Sequence, residues 1–582
     1  MSKKMKQSLA FILSAAMMMS LAACGDNSAE ETSGQSKTAE QSSTSVQASA
    51  SSESVVPEVT YEPLGKYDEL VTITFANMLR DGTVDENGDT VTDNAILDYL
   101  KDAMNIEIER EIEATDQKDY TTALSLAITA GEIPDVTVVY DYDQLVEMAE
   151  ADLIYDLTDI VENYAGEASN ALWDGYDFDV FAKTTFDGKI MALPRISNEA
   201  GTLVWIRQDW MDTLGISVDE DGDMLITREE LEMVASEFVE KDPGNSGNPI
   251  GIALVCNSGN TSSYNINPVC GSFGAYPWSW IQKEDGSIVN GVTTPEMKEA
   301  LAWWSDINAK GLVDPQYGIT KTDDIKAMFV NGQTGITFGA RNLCNWFFNE
   351  TYTADENARF VTYGLDNGTG KATYRAQDSQ TRYVVVSKDC EYPEVAMKLY
   401  NLVTEVQSGA FDNEEIAQAY PDFYEVYIKN TGNFTTYEPL NIAVTFGDAV
   451  TTRVNEVKAW QAGKLAKEDV TDSTALKYIG AIETMEAGTA TPAERVRYDE
   501  YLGTKTWVEL LDSGTFELQY LLNPATTEEI ALYYADLKTL GEEMQIKIVT
   551  GEESVDYFDT FVEEWNKRGG QEIVDGLEDF YN

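Results

Sequence analysis

Four acidic residues have the spacing of a calcium-binding loop. They stand at positions 1, 3, 5 and 12 of such a loop: Asp219, Asp221, Asp223 and Glu230. Position 6 holds Met224, although the sharp turn of the loop calls for glycine there. Glu230 is also explained by a capping box with Thr227 at the start of a helix. The spacing leaves open a calcium site or a solvated acidic turn, and we expect the protein to need no cofactor.

The chain contains no histidine, and this excludes several kinds of chemistry. Ser-His-Asp and Cys-His catalysis, zinc sites built on imidazole and the usual proton shuttle near neutral pH all require that side chain. Paired carboxylates remain available, and glycoside hydrolases use such pairs. The chain therefore has no obvious catalytic centre, but carboxylate chemistry stays open.

The cysteines match no CxxC metal pattern. Beyond Cys24 the chain has Cys256, Cys270, Cys344 and Cys390. Cys256 and Cys270 could close a short disulfide loop, or they could stay as buried thiols. The spacing does not decide between these states, for this pair or for Cys344 and Cys390.

The charge balance is strongly acidic. The chain has 101 acidic and 40 basic residues, and its formal net charge is −61. Such a field repels nucleic acid and anionic membrane surfaces, so we expect no nucleic-acid partner. With 582 residues, 43% of them hydrophobic, the chain can bury large cores in more than one lobe.

The first residues have the pattern of an export signal. Three lysines, Lys3, Lys4 and Lys6, precede an apolar run at 9–21, which ends at two alanines and Cys24. The run is too short to span a membrane. It resembles a bacterial lipoprotein signal, which implies a diacylglyceryl thioether on Cys24 after removal of residues 1–23. The alternative is an ordinary secretory signal with an incidental cysteine.

The segment after Cys24 has a different composition from the rest of the chain. Residues 25–56 are rich in Ser, Thr, Glu, Gln and Ala and contain no aromatic residue. Such a composition cannot bury enough surface to fold, so residues 24–56 are predicted to be the lipidated cysteine and a flexible tether.

Strand and helix patterns alternate from residue 71 onward. Alternating or β-rich runs at 71–75, 106–112 and 134–140 predict three strands. Helical periodicity between them, with caps at Asn94 and Gly131, predicts two connecting helices. Further strands are predicted at 203–206, 335–338 and 382–387. This order indicates an α/β fold with a largely parallel first sheet.

Short segments resemble, in order, motifs of a known family. The family is the extracellular solute-binding proteins of ABC importers, in the oligosaccharide-binding branch of family 1. The matching segments are Gly131–Asp135 (GEIPD), Asp187–Pro194 (DGKIMALP), Ile206–Ile216 (IRQDWMDTLGI), Ala309–Pro315 (AKGLVDP), Asn331–Ile336 (NGQTGI) and the stretch from Gln545 to Gly570. Together they extend over most of residues 67–582.

The resemblance implies an α/β, two-lobed periplasmic-binding-protein-like fold. Its lobes would be interwoven and joined by a hinge, with the ligand cleft between them. The boundaries expected from the sequence are 57–195 for the first part of the N-lobe, 196–335 for the first part of the C-lobe, 336–385 for a return to the N-lobe and 386–582 for completion of the C-lobe. The implied partners are a carbohydrate and the transmembrane subunits of an ABC importer, met by a monomer on the extracytoplasmic face of the cell membrane.

For a sugar ligand we expect aromatic faces and planar polar groups in loops that follow the strands. On this basis the candidate ligand-binding residues are Asn77, Arg80, Tyr140, Asp141, Arg195, Arg207, Tyr276, Trp278, Trp280, Arg341, Trp346 and Arg375. Two alternatives stay open: a surface glycoside hydrolase with paired carboxylates, and a binding lipoprotein for another solute such as a peptide.

Overall fold

The structure is a computed structural model that describes residues 61–581, apart from 80–87, 177–178, 198–200, 257–262, 284, 376–381, 430, 520 and 523–526. The predicted signal segment, Cys24, the tether and Arg80 lie outside the described residues. The strands are β1 (Val71–Met78), β2 (Ile106–Ala114), β3 (Val136–Val139), β4 (Thr185–Phe186), β5 (Lys189–Ile190), β6 (Leu193–Pro194), β7 (Thr202–Arg207), β8 (Leu225–Ile226), β9 (Trp280–Gln282), β10 (Ile288–Asn290), β11 (Ile336–Ala340), β12 (Phe360–Leu365), β13 (Ala372–Arg375), β14 (Tyr383–Val386) and β15 (Phe516–Gln519).

Helices fill most of the space between the strands. They are α1 (Ala95–Met104), α2 (Gln117–Ala130), α3 (Tyr142–Glu150), α4 (Thr158–Tyr164), α5 (Glu167–Asp174), α6 (Gln208–Leu214), α7 (Arg228–Lys241), α8 (Asn267–Ser272), α9 (Pro295–Ala309), α10 (Thr322–Val330), α11 (Phe348–Ala354), α12 (Val395–Ser408), α13 (Glu414–Ala419), α14 (Pro421–Phe423), α15 (Thr431–Tyr437), α16 (Ala449–Gln461), α17 (Ser473–Ala487), α18 (Pro492–Asp512), α19 (Glu528–Val549), α20 (Tyr557–Trp565) and α21 (Gln571–Tyr581). None of the described helices is long and apolar enough to cross a membrane.

The first sheet has the order β2-β1-β3-β14-β6. β1 runs parallel to both β2 and β3, as the alternation of strands and helices predicts. Val71, Ile73 and Phe75 of β1 are buried by the period of two, and α1 begins at Asn94, whose side chain accepts from two backbone N–H groups. β14 enters from a distant part of the chain and runs antiparallel to β3 and β6.

The second sheet has the order β11-β7-β12-β8. β7 lies between β11 and β12 and runs antiparallel to both. Its residues Leu203–Arg207 are all buried, because helices or loops cover both faces. Arg207 closes the strand with hydrogen bonds from Nε and Nη2 to Asp209 at 2.8 and 2.7 Å, and from Nη2 to Asp355 at 2.6 Å.

The chain connects the two sheets three times: between β6 and β7, between β12 and β14, and between α15 and α16. We call these connections the first, second and third passages. β11 and β12 pair in the second sheet, so the expected return to the N-lobe at 336–385 is wrong for residues 336–365. Likewise α12 and α15 pack into the core of the first sheet, although residues 386–582 were expected in the C-lobe. Strand direction and long-range packing decide these positions, and neither is visible in local periodicity.

The four described cysteines are free thiols. Cys270, Cys344 and Cys390 are buried, and Cys256 is partly buried. Burial raises the pKa of Cys256 to about 11, so this thiol stays protonated at neutral pH. The alternative of buried thiols is therefore the one the structure adopts.

Asp499 is a buried carboxyl group in α18, and it accepts a hydrogen bond from the Tyr352 hydroxyl. Burial raises its pKa from 3.8 to about 8, while the Tyr352 hydrogen bond and the Arg495 charge oppose this rise. The folded state therefore keeps this proton in a pH range where the unfolded chain has lost it.

We expect the Asp499→Asn variant to become progressively more stable than the wild type as the pH rises. Between about pH 4 and 8 the folded wild type binds the Asp499 proton and the unfolded chain does not, so the contribution of this group falls by about 1.4 kcal/mol per pH unit. Thermal unfolding of both proteins from pH 4 to 9 measures the difference. A difference that stays constant across this range would contradict the expectation.

Candidate functional site

Two predicted ligand residues meet at the carboxyl edge of the first sheet. Asn77 lies near the end of β1, and Tyr140 follows β3 directly. The Tyr140 hydroxyl donates to Asn77 Oδ1 at 2.6 Å, and Asn77 Nδ2 donates to the Pro439 carbonyl at 2.5 Å. Burial raises the pKa of Tyr140, so its hydroxyl stays protonated at neutral pH. The third passage between the sheets therefore contacts this edge through Pro439.

Arg382 and Asn441 complete the cluster. Arg382 precedes β14, whose first residue pairs with Val139 at the end of β3. The Arg382 guanidinium carbon lies 5.3 Å from the centre of the Tyr140 ring. Arg382 Nη1 donates to the Asn441 carbonyl oxygen and, at 3.1 Å, to Asn441 Oδ1. Asn441 Nδ2 in turn donates to the Tyr140 hydroxyl at 3.1 Å.

The sequence interpretation missed Arg382 and Asn441. Arg382 was placed at the start of a predicted strand, but the antiparallel direction that brings it to this edge has no local signal. Asn441 follows Tyr140 by about three hundred residues and lies in a loop with positive φ. Asn is enriched among residues with positive φ, but the residue type alone does not single out this position in the sequence.

Arg195 links the first passage between the sheets to the other two. Its Nε donates to the Ala443 carbonyl at 3.1 Å, and its backbone N–H donates to the Arg382 carbonyl at 2.8 Å. Thr445 N–H donates to the Ile196 carbonyl at 3.0 Å. The predicted residue Arg195 therefore lies with Asn77 and Tyr140, where all three passages meet.

Asp141 lies beside this cluster as the N-cap of α3. Its Oδ1 accepts from the Asp143 N–H at 3.0 Å, which satisfies a backbone donor in the first turn. Arg375 is the last residue of β13, which pairs with β15. Asp141 follows β3 as predicted for a loop residue, whereas Arg375 lies within a strand. A ligand-binding role stays a prediction for both.

A small pocket lies at the edge of the second sheet where β7 begins and β12 ends. Thr202 begins β7 and Leu365 ends β12, so both mark the edge at which the chain enters and leaves this sheet. The pocket also involves Tyr276, whose side chain forms a hydrogen bond with Thr373, and burial raises the Tyr276 pKa. Pro268 of α8 contributes to the same wall.

Trp346 is the exposed member of the eleven tryptophans, all of which are among the described residues. Its side chain is 54% exposed, and its ring lies 5.5 Å from that of Tyr264. It follows β11, whose last residue pairs with Thr202 at the same edge of the second sheet. Trp346 therefore has an exposed aromatic face, and its role as a sugar-stacking residue stays a prediction.

Trp278 and Trp280 belong to the core of the second lobe. Each is 4% exposed, which leaves no free face for a ligand. Trp278 packs against α19 at Gly541, where an added Cβ would lie 2.2 Å from the ring. Trp280 lies between Tyr534 and Trp565, at ring distances of 5.8 and 6.3 Å. Their aperiodic segment looked free of core contacts because its packing partners lie far along the chain.

Two of the predicted arginines are directed into the fold. Arg207 is 1% exposed, and its guanidinium forms ion pairs with Asp209 and Asp355. The guanidinium carbon lies 4.6 Å from the centre of the Trp210 ring. Arg341 Nη1 contacts Thr504 Oγ1 of α18 at 3.4 Å, and burial lowers the pKa of Arg341. We assign packing roles to both side chains.

The acidic loop brings three of its four carboxylates together. Oxygens of Asp219, Asp221 and Asp223 lie within 4.8 Å of one another, and Met224 adopts the positive φ of the turn position. Glu230 is committed to the capping box, since it accepts from the Thr227 N–H at 2.9 Å. Burial raises the pKa of Asp219, and the neighbouring Asp223 adds to the rise. The expectation that the protein needs no cofactor stays a prediction, and so does the alternative of a calcium site in this loop.

Comparison with known proteins identifies the family of this chain. The profile of the bacterial extracellular solute-binding proteins matches residues 94–410. The polygalacturonan/rhamnogalacturonan-binding protein YtcQ of Bacillus subtilis is 20% identical over 464 residues, which cover 79% of this chain and 82% of YtcQ. Lipoprotein LipO of Bacillus subtilis is 21% identical over 275 residues, which cover 46% of this chain and 52% of LipO.

Solved structures share the fold. The alginate-binding protein AlgQ2, solved without calcium ion, has a TM-score of 0.56 at 14% identity, covering 89% of this chain and 99% of AlgQ2. A solute-binding protein of Bifidobacterium longum infantis, described as HMO-binding and associated with an ABC transporter, has a TM-score of 0.57 at 16% identity, covering 88% and 98%. The predicted two-lobed α/β fold and the predicted resemblance are confirmed. The chain belongs to the bacterial extracellular solute-binding protein family.

Proposed function

We propose that this protein captures an oligosaccharide between the edges of its two sheets and delivers it to an ABC importer. The observation that carries the proposal is the polar cluster of Asn77, Tyr140, Arg382 and Asn441 where the three passages between the sheets meet. Arg382 and Tyr140 are only partly buried and can offer a guanidinium group and a hydroxyl to the paired hydroxyls of a sugar ring, whereas the buried Asn77 and Asn441 hold them in place. Trp346 and Tyr276 supply aromatic surface at the edge of the second sheet where β7 begins.

The names of similar proteins support a glycan as the ligand class. YtcQ is named for polygalacturonan and rhamnogalacturonan, and the FusA protein of S. pneumoniae was solved in complex with kestose. FusA shares 15% identity and a TM-score of 0.56 with this chain, covering 88% of it and 99% of FusA. Among these glycans we favour an acidic one for the first tests, because Arg195 and Arg382 place two positive charges where the passages meet in an otherwise acidic protein.

Delivery requires a change that the importer can recognise. In the proposed mechanism, ligand contacts from both lobes favour the closed arrangement, and the three passages between the sheets act as the hinge. The transmembrane subunits of the importer would then bind the closed protein. The protein would work as a monomer on the extracytoplasmic face, held by lipid on Cys24 and a tether at 24–56, and without a cofactor.

Saturable glycan binding without turnover is the expected result of the central experiment. Isothermal calorimetry of the purified protein with oligogalacturonides, rhamnogalacturonan fragments and kestose measures affinity. A reducing-sugar assay on the same mixtures detects hydrolysis. Release of reducing ends would support the glycoside hydrolase alternative and refute this proposal. Binding of peptides without binding of any glycan would also refute it.

The Trp346→Ala variant should lose glycan affinity while its thermal midpoint stays close to that of the wild type, because an exposed ring contributes little to packing. The Trp278→Ala variant is the matched comparison. It should lower the free energy of unfolding by about 3 to 5 kcal/mol because it opens a cavity in the core. Calorimetry and thermal unfolding of both variants test the assignment, and a large stability loss in Trp346→Ala with unchanged affinity would reject it.

A Cys24→Ala variant should release the protein from the membrane. A lipid anchor needs the thiol sulfur, and a tethered binding protein gains effective concentration beside its importer. Fractionation of cells that express each form, with labelled palmitate as a tracer, measures the outcome. Equal membrane association and no label in the wild type would favour the ordinary secretory signal.

A further inference from the structure

Glu438 begins the third passage between the sheets, directly after α15. Its side chain is 3% exposed. Oε1 accepts from the Ile442 N–H at 2.6 Å, and the N–H groups of Leu440 and Asn441 also point to this carboxyl group. Oε2 is buried and has no hydrogen-bond partner among the described residues. Glu438 therefore folds residues 438–442 into a tight loop, which we name the edge loop.

The edge loop holds the candidate ligand residues. The Pro439 carbonyl accepts from Asn77, the Asn441 side chain donates to Tyr140, and Arg382 donates to the carbonyl and side-chain oxygens of Asn441. Asn441 has φ of 49°, so its position depends on the turn that Glu438 stabilises from within. Each side chain of the polar cluster is thus bound to a loop that one buried carboxyl group organises.

The charge of Glu438 is sensitive to pH in the physiological range. The ionisable groups that face it, among the described residues, are the Arg382 guanidinium and the Tyr140 hydroxyl. Burial raises the pKa of Glu438 to about 7, against the backbone N–H groups and Arg382, which favour the charged form. A charge at Oε2 would be buried without a hydrogen-bond partner there, which is costly.

We propose that Glu438 is a positioning residue for ligand capture, and that loss of its proton releases the edge loop and weakens binding. The neutral carboxyl group keeps the loop folded and the cluster in place below about pH 7. Because the folded state holds this proton more tightly than the released loop does, stability of the loop falls as the pH rises through that value. The effect on affinity rests on the proposed function, whereas the effect on the loop does not.

Hydrogen–deuterium exchange of the ligand-free protein tests the loop directly. We compare the wild type with Glu438→Gln, which keeps the acceptor oxygen and remains neutral, in peptides that contain residues 438–445. The wild type should exchange faster than Glu438→Gln at both pH values. The ratio of the two exchange rates should rise by about tenfold from pH 6 to pH 8, since each unit of difference in pKa between the held and the released loop is worth a factor of ten.

The Asp499→Asn variant is the control, because Asp499 is also a buried carboxyl group but lies in the second lobe. It should leave the exchange of the edge loop as in the wild type at both pH values. The proposal is overturned if the wild type and Glu438→Gln exchange alike at pH 8. It is also overturned if they differ by the same factor at pH 6 and pH 8, which would indicate a purely structural role.

Affinity for an oligogalacturonide, measured at pH 6 and pH 8, extends the test to ligand capture. The carboxylates of this probe are ionised at both values, so the ligand itself does not titrate. Binding by the wild type should weaken at pH 8, and binding by Glu438→Gln should not. If no variant binds the probe at either pH, the proposed acidic ligand is wrong, while the exchange experiment still decides the role of Glu438.

Discussion

Polar groups buried at the carboxyl edge of the first sheet must find hydrogen-bond partners, and this requirement joins the three passages between the sheets. Asn77 is 4% exposed and satisfies its amide with Tyr140 and with the Pro439 carbonyl. Arg195 and Arg382 donate to carbonyls of the third passage. If one of these partners moved away, it would leave buried donors unsatisfied at a cost of about 1 to 3 kcal/mol each. The hinge region therefore has a preferred arrangement.

The two lobes have separate hydrophobic cores, which concentrates any relative motion in this region. Phe75, Leu100 and Tyr400 belong to the core of the first sheet, and Trp304, Phe338 and Trp565 to the main core of the second. Packed cores deform little, so a ligand that bridges the lobes acts on the passages between them. The residues that hold the passages together include candidate ligand contacts, so in the proposed mechanism shared side chains would couple ligand binding to the position of the hinge.

The sequence predicts best what local periodicity and strand order determine. The β1, β2 and β3 strands, their parallel direction and the meeting of Asn77 with Tyr140 follow from alternation and from the rule that parallel strands end at one edge. β14 could not be placed, because its antiparallel insertion beside β3 depends on a contact between residues more than two hundred positions apart. Trp278 and Trp280 were misread for the same reason, since α19 and α20 cover them from the far end of the chain. Composition predicts burial in general, but not which aromatic ring finds a partner.

Two buried carboxyl groups show that the place of a titrating group in the fold, more than its pKa, decides which property of the protein its proton affects. Burial raises the pKa of both Asp499 and Glu438. Asp499 lies inside the second lobe, where it accepts a hydrogen bond from the Tyr352 hydroxyl, so its proton affects the stability of that lobe. Glu438 lies where the lobes are joined, and the loop that it folds holds Asn77, Tyr140 and Arg382. The same chemistry therefore changes global stability in one place and the geometry of ligand capture in the other.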